Sequence, residues 1–470
     1  MAGIGFVLRK LVKKHELYSY GAAFFHSMMA SAGPWIITII TLGSFFLLSQ
    51  SLTGSIQYIE FRMIILFNFS LSLVIAAPIA NCATRYLADL LYKEKYDAGS
   101  GLMISMLMIL FLFSLPFSFC YYYFFTEMSP EEKFQAILNF VIICSIWHVS
   151  IFISTLKYYK AVTLSFLIGM GLSLFAVLYL LSESSLSGLV SGFNLGLGFI
   201  LASLLAIVFS EYPPYVLNVF HLLNYFIKYW EIPVGFFFYA VGLWADKWIM
   251  WFSPESTVLP NHMRMYPDYD TATFVSYLTV IPSMALFLLN QETFFFESYY
   301  RYFQGIQNEQ NFHQITKNNA KLKETLLIVG RQLILTQLFV CFIAIVFAPY
   351  IFNALGINFI QFSIFRIGCL GASFQILSLF FMVLLQYFDD RRNVLYAQFL
   401  FFILNTLLTS ATLYGGFPWY GYGFFGASLI TFAVSIYFLE NYFRNLEYNI
   451  FVRKNIQEFK SIGEIRGNGS

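Results

Sequence analysis

The sequence predicts an all-α polytopic membrane protein with about twelve transmembrane helices in two six-helix bundles. Three observations predict this class: an apolar composition, a series of long apolar runs, and a polar break midway along the chain. Hydrophobic residues make up 59% of the 470 residues and charged residues 11%, whereas soluble domains carry about 25% charged residues. The net charge of +2 says little about partners, because charge position matters more than the sum; we expect no nucleic-acid partner.

A helix needs about 20 apolar residues to cross the hydrocarbon core of a bilayer. On that criterion the predicted spans are approximately 20–49, 61–91, 99–125, 134–158, 160–182, 186–210, 231–253, 271–296, 326–352, 361–388, 393–415 and 420–444. Several of these runs contain proline, and neighbouring helices can satisfy the backbone groups that a proline frees. Kinks or tilt are therefore expected at Pro34, Pro78, Pro116 and Pro282.

The basic residues predict the orientation. If both termini are cytoplasmic, the cytoplasmic loops and adjoining helix ends hold all 27 basic residues except Arg62, Lys133, Lys247, Arg264 and Arg366. Basic residues concentrate on the cytoplasmic side of membrane proteins, so this orientation is strongly favoured. The basic stretch before the first run differs from a signal peptide, because the run is too long and lacks a convincing cleavage site. We expect an uncleaved first span.

The break between the sixth and seventh spans predicts the domain organisation. Residues 211–230 begin with Pro213 and Pro214 and continue as an amphipathic stretch. We therefore predict an N-terminal six-helix bundle over 1–210, an amphipathic linker over 211–230, a C-terminal six-helix bundle over 231–450, and a cytoplasmic tail over 451–470. Two pseudo-equivalent bundles are typical of transporters with a central site between them.

The seventh span contains two ionisable residues, Asp246 and Lys247. Such groups are expensive inside a membrane and are therefore functional candidates. At 100° per residue, one helix face carries a small and polar stripe that suits a helix interface or an aqueous cavity: Gly235, Tyr239, Gly242 and Asp246. We expect Asp246 to face inward. Lys247 lies among Trp244, Trp248 and Trp251, and we expect it to extend toward the headgroups, with a substrate role as the alternative.

A polar substrate would need hydrogen-bonding groups along a wet path through the membrane. The residues we take as a hypothesis for the path or for coupling are Asp246, Lys247, His148, Asn68, Asn81, Arg366, Gln375 and Asn405. Structural hydrogen bonds between helices are the more frequent role of Asn and Gln in membranes, and a packed role is favoured for His148. A gate is possible at an inner helix end, where Glu292, Glu297 and Arg301 lie, although a surface pair is favoured for Glu297 and Arg301.

Two connections stand out. Residues 297–325 are polar, and a solvated linker is favoured over a docking surface for a soluble partner. Residues 254–270 form the main outer connection, which could cap a cavity, contact an oligosaccharide or be an ordinary turn.

Catalytic and metal-binding patterns are not found in the sequence. The five cysteines lie in apolar runs without CxxC spacing, so neither disulfides nor a zinc site is suggested. The six histidines are scattered, and no glycine motif for phosphate appears. We expect no cofactor, no metal and no enzymatic activity.

Several segments together resemble one family. They are MAGIGFVLRKL at the start, SAGPWIITI in the first span, GLWADKWIMWF in the seventh, and YPDYD followed by IPSMALFLLNQETFFFESYYRYF. In this order and spacing they resemble the PelG family, the inner-membrane transporter component of Pel exopolysaccharide biosynthesis. The resemblance runs from the first residue through the twelfth span.

The resemblance implies a MATE-like architecture of the MOP flippase superfamily, with two six-helix bundles around a V-shaped cavity. It also implies export of Pel, an N-acetylgalactosamine-rich polymer of the biofilm matrix, across the cytoplasmic (inner) membrane. The implied partners are PelD, PelE and the glycosyltransferase PelF. The alternatives are a lipid-linked oligosaccharide flippase, a small-molecule antiporter of the same superfamily, and a non-transporting scaffold of a polysaccharide synthase.

Overall fold

A computed structural model describes residues 8, 11, 16–52, 56–92, 98–156, 159–180, 185–212, 219–355 and 361–453. The predicted cytoplasmic tail lies outside the described residues from 454 onward, as does the 213–218 part of the predicted linker.

The first half of the described chain forms six long helices. They are α1 (Leu17–Leu52), α2 (Ile56–Tyr92), α3 (Ala98–Phe125), α4 (Pro130–Leu156), α5 (Tyr159–Leu180) and α6 (Leu186–Glu211). Pro34, Pro78 and Pro116 lie inside α1, α2 and α3. A shorter amphipathic helix, α7 (Val219–Lys228), follows in the predicted linker.

The second half begins with α8 (Glu231–Met250), a hairpin of β1 (Thr257–Val258) and β2 (Arg264–Met265), α9 (Pro267–Leu278) and α10 (Ile281–Asn290). The two strands are antiparallel, with Thr257 opposite Met265. A wide turn of helix, Gln291–Phe295, leads to α11 (Phe296–Gln307). The remaining helices are α12 (Phe312–Leu355), α13 (Gln361–Tyr387), α14 (Arg391–Gly415) and α15 (Tyr422–Arg444), with short turns at Phe417–Trp419, Leu446–Tyr448 and Asn449–Arg453.

Eleven spans within the described residues are long and apolar enough to cross a membrane. They correspond to all of the predicted spans except the seventh, and the eighth is the combined segment of α9, α10 and α11, Pro267–Gln307. The seventh is α8, whose 20 residues include Glu231, Asp246 and Lys247. The predicted span 271–296 is interrupted between α9 and α10, where Pro282 lies in the first turn of α10 and cannot donate a backbone hydrogen bond.

The helix packing repeats in the two halves. In the first half α5 packs on α1 and α6, and α4 packs on α2, α3 and α6. In the second half α14 packs on α8 and α15, and α13 packs on α9, α12 and α15. The two sets match if α8 is equivalent to α1 and the α9–α11 segment to α2. The chain therefore forms two related six-helix bundles.

The bundles meet through two equivalent contacts. Helix α1 packs against α10, and α2 packs against α8. The outer end of the molecule is defined as the end that carries the β1–β2 hairpin, and the inner end as the end that carries α7, following the orientation predicted from the basic residues. Helix α2 extends along α8 from the outer to the inner end, because Phe67 contacts Trp251 and Arg85 contacts Tyr229.

The inner connection 297–325 differs from the predicted solvated linker. It forms α11 and the start of α12, joined at residues 308–311. Its apolar residues pack against the bundle, since Tyr302 and Leu322 are fully buried. Helix α12 has 44 residues, a length of about 66 Å, whereas the hydrocarbon core is about 30 Å thick. Burial of one face of each helix, which composition alone does not display, therefore makes this segment part of the fold.

Candidate functional site

The glycine stripe of the seventh span lies against α14. A Cβ atom on Gly242 would come within 3.0 Å of the Phe401 ring and 3.1 Å of the Phe402 backbone, and one on Gly235 would clash with the Gln398 side chain. Small residues allow two helix backbones to approach this closely. The stripe is therefore a helix interface inside the C-terminal bundle, the first of the two roles predicted for it.

At the outer part of this interface lies the Asp246 cluster, formed by Asp246, Lys247, Tyr269 and Asn405. Asp246 is fully buried. The Tyr269 hydroxyl donates to its Oδ2 at 3.0 Å, and Asn405 Nδ2 lies 3.4 Å from its Oδ1. Asn405 also donates to the Gly242 carbonyl at 2.8 Å. Three helices, α8, α9 and α14, thus converge on one carboxylate.

Lys247 is buried, contrary to the extended position expected for it. Its exposure is 8%, and its Nζ lies 3.1 Å from both oxygens of Asp246 and 3.3 Å from the Leu243 carbonyl. The ammonium also lies 5.0 Å from the ring centroid of Tyr277 and 5.4 Å from that of Phe424. The neighbouring Asp246 carboxylate and the surrounding aromatic rings hold the cation inside the bundle. They provide the partners that headgroup phosphates would provide for an extended lysine.

Two outer-end residues connect this region to the N-terminal bundle. Trp251 donates from Nε1 to both carboxylate oxygens of Asp270 at 3.0 Å. Its ring stacks on Phe67 of α2 with the centroids 4.4 Å apart. The sequence predicted no contact for Trp251 or Asp270. The sequence feature that could have indicated this contact is an acidic residue, Asp270, in the first turn of α9.

The β1–β2 hairpin also reaches the N-terminal bundle. The Asn261 backbone N donates to Glu60 Oε1 at 3.2 Å, and the Asn261 carbonyl accepts from the backbone N of Glu127 at 3.2 Å. His262 Nδ1 lies 3.7 Å from Glu127 Oε1. The outer connection is therefore an ordered hairpin that bridges both bundles, because Tyr420 of the C-terminal bundle donates to its Glu255 at 2.8 Å.

At the inner end an alternating series of acids and bases, the inner ladder, joins the bundles. Arg85 lies 3.6 Å from Asp89 within α2 and 3.5 Å from Asp389 across the interface. Arg391 then lies 3.3 Å from Asp389 and 3.6 Å from Glu231. Asp389 lies in the turn between α13 and α14 at φ 59°, a left-handed conformation that Asp adopts more readily than most residues.

Two tyrosines of the linker region support the inner ladder. The guanidinium carbons of Arg391 and Arg85 lie 4.7 Å and 5.8 Å from the centroid of the Tyr229 ring. The Tyr225 hydroxyl donates to Asp89 at 2.5 Å. Partial burial, together with this hydrogen bond to a carboxylate, raises the pKa of Tyr225, so the hydroxyl remains a donor. The sequence signals were the dense charges at 389–392 and the Arg85 and Asp89 spacing of one helical turn.

Asn68 belongs to a buried chain of amides in the N-terminal bundle. It accepts from Tyr122 at 2.6 Å and donates to Asn139 at 2.8 Å. Asn139 in turn donates to Asn194 at 2.7 Å, and Asn194 donates to Gln135 Oε1 at 3.1 Å. The chain links α2, α3, α4 and α6, so these amides hold helices together within one bundle.

The other predicted path residues are not brought together. Asn81 donates to the Ala77 carbonyl of its own helix at 2.9 Å. His148 is fully buried, and its Nδ1 lies 2.8 Å from the Cys144 carbonyl. Gln375 donates to the Tyr239 hydroxyl. Arg366 is exposed at the outer end of α13, stacked on the Phe362 ring.

The three predicted gate residues lie at the inner part of the C-terminal bundle. Glu292 is in the wide turn before α11. Arg301 Nη2 donates to Glu297 Oε1 at 3.0 Å, and both side chains are about half exposed. This pair lies within one helix, whereas the inner ladder joins two bundles. In the described part of the chain no group of three or more His, Cys, Asp or Glu residues is placed to hold a metal ion.

The comparisons with known proteins agree with this architecture. The family model that matches is PelG, described as "Putative exopolysaccharide Exporter (EPS-E)", over residues 1–451. The comparison with curated proteins gives no match.

Several solved structures share the fold. An outward-facing multidrug resistance MATE transporter of the MOP superfamily has a TM-score of 0.64 and 11% identity, covering 95% of this chain and 99% of its own. A MATE in the straight conformation has a TM-score of 0.62 and 11% identity over the same shares. A MOP superfamily transporter from Pyrococcus furiosus has a TM-score of 0.60 and 10% identity, again with 95% and 99% covered.

The predicted fold class is confirmed by these neighbours, and the predicted family by the model that spans nearly the whole chain. Family and fold are those of multi-pass membrane transporters. The chain belongs to the PelG family of exopolysaccharide exporters.

Proposed function

We propose that the protein exports an exopolysaccharide along the interface between its two bundles. The observation that carries this proposal is the polar character of both ends of the interface. At the inner end the bundles are joined by partly exposed ion pairs, and at the outer end by hydrogen bonds of the hairpin. The inner ion pairs are partly exposed, so exchanging them for water has a small net cost. The outer hydrogen bonds are buried. An inner end of this kind suits two bundles that separate and rejoin there.

The proposed substrate and partners are those that the family resemblance implies. We propose that the exported polymer is Pel, rich in N-acetylgalactosamine, and that export supports the biofilm matrix. PelD, PelE and the glycosyltransferase PelF are the proposed partners in the same complex. The proposed location is the cytoplasmic membrane with both termini cytoplasmic, supported by the distribution of basic residues.

The buried polar residues have a structural role in this proposal. Asp246, Asn405 and Asn68 are buried and saturated by partners within their own bundles. A saturated buried network makes its surroundings rigid. The two bundles would therefore move as rigid units, and the sugar hydroxyls would be met by groups at the bundle interface.

Chain synthesis is the proposed driving force. The buried Asp246 carboxylate has a permanent counter-charge in Lys247, 3.1 Å away, so it needs no exchangeable cation for neutrality. A growing polymer that is pushed through the interface requires the bundles to part, with no ion exchanged at this site.

The test is a reversible cross-link across the inner ladder. Arg85→Cys with Asp389→Cys replaces residues whose side chains approach within 3.5 Å across the interface. A short thiol cross-linker should stop export in membrane vesicles that contain the whole synthase complex, and reduction of the cross-link should restore it. The assay uses inverted vesicles, in which exported polymer enters the lumen. It measures the polymer that is synthesised but stays outside the lumen.

The matched control is Glu297→Cys with Arg301→Cys. These residues are also in contact, but within one helix, so their cross-link leaves the bundles free to move. Full export with the Arg85 and Asp389 positions cross-linked would refute the proposal. It would favour a non-transporting scaffold, because the two bundles of a scaffold need not separate.

A further inference from the structure

A pocket opens at the outer end of α13 beside the start of α15. Its volume is about 440 Å³, and it is lined by Phe362, Ser363, Arg366, Ile367 and Tyr422. Phe362 and Ile367 are apolar, and the polar groups of the lining are the Arg366 guanidinium and the hydroxyls of Ser363 and Tyr422. This lining combines a cation and hydrogen-bond donors with an apolar wall.

Arg366 is the unusual member of this pocket. Its guanidinium carbon lies 3.9 Å from the Phe362 ring centroid, and the side chain is exposed. Over the part of the chain that the structure describes, no carboxylate forms an ion pair with it, whereas Arg85 and Arg391 each pair with two acids. A guanidinium that lies on a ring keeps its in-plane donors available, and this fork of donors suits two oxygens of one anion.

The position of the pocket indicates which anion can reach it. The most extensive contacts between the bundles are those of α1 with α10 and of α2 with α8. The pocket lies instead between α13 and α15, where Gly421 approaches Ile367, and α12 flanks it through the contact of Phe352 with Phe362. These helices pack within the C-terminal bundle. The pocket is therefore built by helices of the C-terminal bundle alone.

Aromatic residues mark the depth of the pocket in the membrane. Trp419 is 56% exposed, Tyr422 40% and Tyr414 93%, and all three lie at the outer end of α14 and α15. Exposed Trp and Tyr concentrate at the headgroup level of a bilayer. Below them α15 exposes Leu429 and Ile430, an apolar surface at acyl-chain depth. The pocket therefore lies at the level of lipid phosphates.

We propose that this pocket binds the phosphodiester headgroup of a phospholipid of the outer leaflet. Arg366 donates two hydrogen bonds to the phosphate, the Ser363 hydroxyl donates a third, and the acyl chains lie along the apolar residues of α15. This assignment differs from the path role that the sequence suggested for Arg366. It does not depend on the identity of the exported polymer.

The test measures lipid retention by native mass spectrometry on the full chain in detergent, with phosphatidylglycerol as the added probe. Arg366→Gln should lower the occupancy of bound phosphatidylglycerol about tenfold or more, because it removes a charge-assisted bidentate contact. Arg366→Lys should retain part of it, because a point charge still attracts phosphate. The matched control is Arg264→Gln, which removes the other outer arginine placed over a ring, 5.0 Å from Phe252, and should leave occupancy unchanged.

Two results would overturn the assignment. The first is equal lipid occupancy in the wild-type protein and in Arg366→Gln, when thermal melting shows that both proteins are folded. The second is displacement of the lipid by an N-acetylhexosamine oligosaccharide, together with loss of export in Arg366→Gln, which would return Arg366 to the polymer path. Retained export with lost lipid would support the lipid site even if the proposed polymer were wrong.

Discussion

Replacing Lys247 by Met removes the ammonium group that neutralises Asp246 and leaves a side chain of similar length. Among the described residues the carboxylate then keeps Tyr269 and Asn405 as donors, at 3.0 and 3.4 Å, in a fully buried position. Removing one partner of a buried ion pair costs about 3–5 kcal/mol, because an uncompensated charge remains. We expect a loss of this size in the free energy of unfolding of the C-terminal bundle.

A double-mutant cycle separates the charge effect from packing. In Asp246→Asn with Lys247→Met the cluster is neutral and of nearly unchanged volume, and neutral replacements of buried pairs are often close to neutral in stability. We therefore expect the double variant to be more stable than Lys247→Met alone, with a coupling of about 2–4 kcal/mol. Denaturant titration in mixed micelles, followed by the fluorescence of the tryptophans near the cluster, measures each free energy.

The exposed pair in α11 gives the matched control. Glu297→Gln breaks an ion pair of 3.0 Å whose side chains are about half exposed, and such helical pairs contribute only about 0.3–0.5 kcal/mol. If Lys247→Met costs no more than this control, the Lys247 ammonium is solvated in the protein and the description of a sealed cluster is wrong.

Three further predictions concern the amide chain, Asp246 and the driving force. Asn139→Leu removes hydrogen bonds to Asn68 and Asn194 and should cost about 1–3 kcal/mol, measured by the same titration; a neutral result would contradict the rigid amide chain. Asp246→Asn, at normal protein level and with the complex intact, should keep polymer secretion within about twofold if the cluster is structural, since a twofold change is only about 0.4 kcal/mol; a large loss would place Asp246 in conduction or coupling. Collapse of the proton gradient in vesicles supplied with nucleotide sugar should leave export running, and its arrest would show that export is proton-coupled.

The sequence by itself determined the fold class, because a membrane span is a local property. About 20 apolar residues suffice to cross a bilayer, and each run of that length can be recognised without knowing its neighbours. The glycine stripe of α8 was predictable for the same reason, since helix periodicity places its members on one face. The segments that carry the family resemblance are likewise read directly from the chain.

Only the tertiary structure decided how the charged side chains are paired. The Lys247 ammonium lies among aromatic rings of α9, α15 and its own helix. Its burial therefore depends on helices that are distant in sequence. Arg85 and Asp389 are separated by some three hundred residues, and their contact exists because the two bundles dock. Span prediction reads each helix alone, whereas ion pairs between bundles arise from the docking geometry, and that geometry is fixed by packing summed over many helices.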